Sequence, residues 1–162
     1  MPRIVKLTLV AVFAALVASC ATQPGRTATS APRGGVQKVR TTAYTHNEGS
    51  GGRNAIGRRL SSGGIKSAAA DWSRFPLGTH FRVVSTGQEY KIDDYGGALV
   101  GTNTIDLYTT SRRAMNRWGV RHVDIKILRW GSDQESLKML RPRGKVGRVR
   151  RMIASLENKQ RL

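Results

Sequence analysis

Apolar and polar positions alternate differently in successive stretches of this chain, and each change of pattern marks a change of element. Leu7 to Val17 is almost wholly apolar, follows Arg3 and Lys6, and ends in the small residues Ala18-Ser19-Cys20. That is the layout of an export signal over residues 1–19. It is too short for a membrane-spanning helix, which needs about 20 consecutive apolar residues. Residues 20–38 are rich in Ala, Thr, Ser, Gly and Pro with almost nothing to bury, the composition of a flexible tether. From Val39 to about Trp130 short alternating runs are separated by glycine-rich turns, which predicts a small all-β barrel or sandwich over 39–131.

Three runs define that unit. His80-Phe81-Arg82-Val83-Val84 and Glu89-Tyr90-Lys91-Ile92-Asp93 flank Thr86-Gly87-Gln88, which predicts a hairpin. Val123, Ile125 and Ile127 alternate with Asp124, Lys126 and Leu128, the pattern of a half-buried strand. One short helix interrupts the β pattern: Thr110 or Ser111 can cap it, Ala114 and Trp118 lie one turn apart, and Gly119 stands just past its end. In the tail at 132–162, Val146, Val149, Ile153 and Leu156 recur at helical spacing, which predicts a basic amphipathic helix over 145–158. Such a helix either rests on an anionic surface or packs loosely on the barrel.

Charge narrows the partners. The formal net charge is +18, and loss of Arg3 and Lys6 with the signal leaves 26 basic against 10 acidic side chains, or +16. Nine basic residues fall in the last 25, against Glu157 alone. A polyanionic neighbour is implied, and an export signal redirects that inference from nucleic acid to anionic lipid or wall polymer, the latter two through the tail. Cys20 is the single cysteine, so no internal disulfide forms and stability rests on packing. His46, His80 and His122 are scattered without HxxxH spacing or a cysteine partner, so neither a metal site nor a cofactor is expected.

Candidate chemistry concentrates in Asp93-Asp94-Tyr95-Gly96-Gly97-Ala98-Leu99 and the following Thr104-Ile105-Asp106-Leu107-Tyr108. Glycines let backbone approach a ligand closely. In a strand, Ile105 and Leu107 point one way and Asp106 and Tyr108 the other, so an aliphatic pair facing the core turns Asp106 toward a groove. Turn chemistry is the competing account of Asp71, which precedes Trp72-Ser73-Arg74, and of Asp94, which opens a glycine loop.

Two resemblances add to this reading. Val17-Ala18-Ser19-Cys20 resembles a bacterial lipobox, which implies acyl chains on Cys20, an exported and membrane-anchored protein facing the periplasm or cell wall, and the outer membrane as its site in a Gram-negative cell. Thr42-Ala43-Tyr44-Thr45, Ala69-Ala70-Asp71, Phe75-Pro76-Leu77-Gly78-Thr79, Asp94-Tyr95-Gly96-Gly97-Ala98, Ile105-Asp106-Leu107-Tyr108 and Arg121 to Leu128 together resemble the three-aspartate (3D) domain. The barrel of that family is related to the catalytic domain of membrane-bound lytic transglycosylase A.

The resemblance implies a mainly β fold, a six-stranded double-psi β-barrel with one short helix and a basic helical tail. It implies Asp71, Asp94 and Asp106 at one groove that accepts a peptidoglycan strand, with Asp106 matching the family's catalytic acid. Tyr44, Tyr95, Gly96, Gly97 and Tyr108 are the expected substrate-binding residues. A monomer that cleaves the MurNAc-GlcNAc bond with 1,6-anhydro ring formation follows, and a non-catalytic wall-binding lipoprotein is the alternative. Asp106 as an acid near neutrality needs a raised pKa, from burial or from a like charge such as Asp94. Asp71 and Asp94 are expected to orient the site by accepting loop backbone hydrogen bonds.

Overall fold

The Phe81 and Tyr90 runs meet as expected. In the computed structural model, which describes residues 35–48 and 51–161, β3 (His80–Val83) and β4 (Glu89–Asp94) are antiparallel with Phe81 opposite Tyr90. The two rings stack at 5.6 Å between centroids. Cys20, the export segment 1–19 and most of the 20–38 tether lie outside the described residues.

Six strands close into a ring in the order β1-β5-β2-β4-β3-β6, where β1 is Val36–Tyr44, β2 Lys66–Ala69, β5 Thr104–Tyr108 and β6 Arg121–Arg129. Two of the pairings are parallel, β1 with β5 and β2 with β4, and the rest antiparallel. Parallel neighbours cannot be joined by tight turns, so long connections pass over the ends of the ring, and these carry the 45–65 and 95–103 loops. Val39, Phe81, Val83, Ile92, Ile105, Ile125 and Ile127 fill the interior, each essentially inaccessible to solvent. The alternation read in β5 and β6 is therefore the alternation of buried and outward side chains.

β1 begins at Val36, inside the segment expected as tether to residue 38. Val36 and Gln37 have little to bury, but they complete a ladder with Lys126 and Ile125 of β6, and backbone pairing rather than side-chain hydrophobicity extends the strand.

The helix expected near residue 111 is α1 (Arg112–Trp118): Ser111 accepts the Ala114 amide at 3.2 Å, and Gly119 follows at φ 62°. The tail differs from expectation. It forms two helices, α2 (Asp133–Leu140) and α3 (Gly147–Lys159), joined through a 3-10 turn at Arg141–Arg143. Their apolar faces neither rest on an external surface nor pack loosely, because Leu137, Leu140, Val149, Met152 and Leu156 belong to the same core cluster as the ring. Burial of each such side chain contributes about 1.5–3 kcal/mol. Polar ties add to this: Ser132 donates its amide to the Leu77 carbonyl, and the Leu77 amide donates to Ser136 Oγ at 2.9 Å. A Cβ on Gly131, at the entry to α2, would stand 2.3 Å from the carbonyl oxygens of Pro76 and Leu77, so only glycine fits there. Among the described residues no helix is long and apolar enough to cross a membrane.

Candidate functional site

A cavity of about 380 Å³ opens at one end of the ring. Tyr44 from β1, Asp94 from β4 and Asp106 from β5 line it, as do Tyr95, Gly96 and Gly97 of the loop after β4. His46 and Glu48, in the turn after β1, line it as well.

Asp106 sits mid-strand, in register with Thr42 of β1 and Ala69 of β2. Its neighbours Ile105 and Leu107 enter the core, which turns the carboxyl outward into the cavity. Thr42 Oγ1 donates to Asp106 Oδ1 at 2.6 Å, and Oδ2 has no protein partner among the described residues. Burial pushes the Asp106 pKa up, against the Thr42 hydrogen bond. The like charge that adds to this comes from Glu48, which lines the same cavity, and not from Asp94 as the sequence suggested.

Asp94 is held on both oxygens. Oδ1 accepts the amides of Ala55 and Tyr95, at 3.0 and 2.9 Å, and Oδ2 accepts the Tyr44 hydroxyl at 3.3 Å. Behind it the Trp72 indole donates to the Asp94 carbonyl at 2.8 Å, which fixes the end of β4. Burial pushes the carboxyl up to about 6, with the neighbouring Asp93 adding to the rise. Tyr44 is itself displaced upward by burial and by the carboxylates around it, so its hydroxyl stays protonated as a donor to Asp94.

Asp71 lies elsewhere. It does not line this cavity and is 2% exposed. Its Oδ1 accepts the amide and hydroxyl of Ser73, and Oδ2 accepts the Gly101 amide at 2.6 Å. Gly101 has φ 84°, a conformation that glycine adopts without strain, and so presents its N–H to the carboxylate. Asp71 thus ties the turn after β2 to the loop that carries Gly96 and Gly97. Its carboxylate is spent on that tie, whereas Asp94 and Asp106 line the cavity.

Of the expected binding residues, Tyr44, Tyr95, Gly96 and Gly97 line the cavity and Tyr108 does not. Tyr108 is 6% exposed, its ring 5.5 Å from that of Tyr44 and its hydroxyl 3.2 Å from His46 Nδ1, so it buttresses two lining residues from behind. Tyr95 packs its ring edge-on to Trp72 at 5.1 Å. The residues missed in the sequence are Thr42, His46 and Glu48. Thr42 stood within a recognised motif, whereas nothing in the irregular stretch after Tyr44 marked His46 or Glu48. Among the described residues no group of three or more His, Cys, Asp or Glu is placed to hold a metal ion.

Residues 66–129 match the family model of the 3D domain. The match includes Asp71, Asp94 and Asp106 and leaves β1, α2 and α3 outside it. The chain is also 38% identical over 92 residues to the cell wall-binding protein YocH of Bacillus subtilis (strain 168). That alignment covers 56% of this chain and 31% of YocH, so the chain spans about a third of its relative's length.

Proposed function

We propose that this chain acts on peptidoglycan, holding a glycan strand in the cavity beside Asp94 and Asp106 and cleaving it as a lytic transglycosylase. A wall-associated role is supported by the 3D domain and by a relative whose name describes wall binding. The observation that carries the catalytic half is Asp106: a half-buried carboxyl on the cavity wall, its proton affinity raised by burial, with Oδ2 free of protein partners among the described residues.

In this reading protonated Asp106 gives its proton to the glycosidic oxygen as the bond from that oxygen to C1 of MurNAc breaks. The C6 hydroxyl of the same sugar bonds to C1, and its proton passes to the Asp106 carboxylate. The proton count closes and no water is consumed. An oriented internal hydroxyl supplies a large effective molarity, so a second carboxylate to activate water is not required. Asp94, pinned on both oxygens, orients the Tyr95 to Gly97 loop against the sugar. The closed ring is read as a double-psi barrel, in keeping with its two parallel pairs. Cys20 is the proposed lipid attachment point, with residues 20–35 as tether and the envelope as location.

A binding-only role is the second reading, favoured by a relative whose name is that of a wall-binding protein. Digestion of purified peptidoglycan followed by mass spectrometry separates the two. Soluble fragments ending in 1,6-anhydro-MurNAc support cleavage as described, reducing ends mean hydrolysis, and sedimentation with intact wall but no fragments means binding alone.

A further inference from the structure

Two arginines from the tail, outside the matched 3D segment, lie against Tyr95 and Gly97, two residues that line the cavity. The Arg143 Cζ stands 6.0 Å from the Tyr95 ring centroid, and its Nη1 is buried with no hydrogen-bond partner among the described residues. Arg148 lies against Gly97: a Cβ added there would be 2.9 Å from Arg148 Nη1 and 3.0 Å from its Cδ. Among the described residues neither arginine forms an ion pair; the acids that do so, Glu89 and Glu157, pair with His80, Arg82 and Arg141.

A buried guanidinium nitrogen without an acceptor costs desolvation free energy that an incoming anion would offset. Arg143, with the exposed Arg148 beside it at Gly97, sets two guanidinium forks next to residues that line the cavity, an arrangement that favours a ligand carrying an anionic oxygen group beside its neutral sugar. We propose that Arg143 and Arg148 form an anion subsite, contributed by the C-terminal helices, for a carboxylate or phosphate carried by the glycan strand. The assignment rests on the reading of the cavity as a glycan cleft. It gives the tail a second task besides completing the core.

Direct binding by the full chain tests it with three probes: glycan strands with free-carboxylate stem peptides, bare strands stripped of peptide and capped as neutral amides at the lactyl carboxylates that stripping frees, and a poly(glycerol phosphate) polymer. The wild type binds one of the charged probes at least roughly tenfold more tightly than bare strands, the size of one charge-assisted hydrogen bond. Which one it prefers identifies carboxylate or phosphate as the source. Arg143→Gln with Arg148→Gln abolishes that preference and leaves bare-strand affinity unchanged, while lysine at both positions retains part of it. Arg148→Gln alone, at an exposed side chain, gives a smaller loss and serves if the double variant does not fold. Equal affinity of wild type and variants for the charged probes overturns the subsite, as does an equal loss on all three. If the wild type binds neither glycan but keeps arginine-dependent binding of the phosphate polymer, the glycan reading fails and the subsite stands.

Discussion

Asp94→Asn is a near-isosteric change whose effect on stability is set by proton linkage. The asparagine oxygen still accepts from Ala55 and Tyr95, and its amide donates to the Tyr44 oxygen, so the hydrogen-bond framework survives. What disappears is a titration. The wild-type carboxyl moves from an ordinary 3.8 to about 6 on folding. At 1.36 kcal/mol per tenfold change in proton affinity the ceiling is about 3 kcal/mol, and partial exposure to solvent lowers that to about 2 kcal/mol. The sign follows from proton counts. Between pH 4 and 6 the folded state holds a proton that the unfolded state has released, so this contribution is complete below the unfolded pKa and is lost as pH rises through 6. Urea unfolding at half-unit steps from pH 4 to 8, followed by tryptophan fluorescence, should therefore show wild-type stability falling relative to the variant by about 2 kcal/mol between pH 4 and pH 7. Parallel stability profiles for the two proteins would refute the claim that burial perturbs Asp94.

Met152→Ala, at a fully buried position of α3, should cost about 2–5 kcal/mol and lower Tm accordingly in calorimetry. Truncation after Trp130 removes all five apolar core residues of α2 and α3 at once; set against total stabilities of about 5–15 kcal/mol, it should abolish cooperative unfolding by circular dichroism. Thr42→Val deletes the hydrogen bond that favours ionised Asp106, so the alkaline limb of the pH profile for glycan cleavage should move to higher pH with the fold unchanged.

Much of the fold is encoded locally. The hairpin through Gly87, the helix between Ser111 and Gly119, and the alternation in β5 and β6 are each written within ten or so residues, and each stands where it was read. α2 was equally local and was passed over: Ser132 and Glu135 have the spacing of a capping pair, and Ser132 Oγ accepts the Glu135 amide at 3.1 Å. Other features had no local signature. Val36 to Lys38 become strand only because β6 offers a partner far along the chain, and the charge of the tail concealed that its sparse apolar residues close the core. In the site, periodicity turned Asp106 outward correctly. No spacing rule could distinguish an aspartate that faces a cleft from Asp71, which spends its oxygens on Ser73 and Gly101.

The central claim concerns one carboxyl group, and counting product ends tests it most directly. Wild-type protein and Asp106→Asn, matched in thermal stability, are incubated with peptidoglycan, and 1,6-anhydro-MurNAc termini are quantified by mass spectrometry. The account predicts steady accumulation with the wild type and a fall of at least about a hundredfold with the variant, in line with loss of a general acid. Equal yields from the two proteins would contradict it.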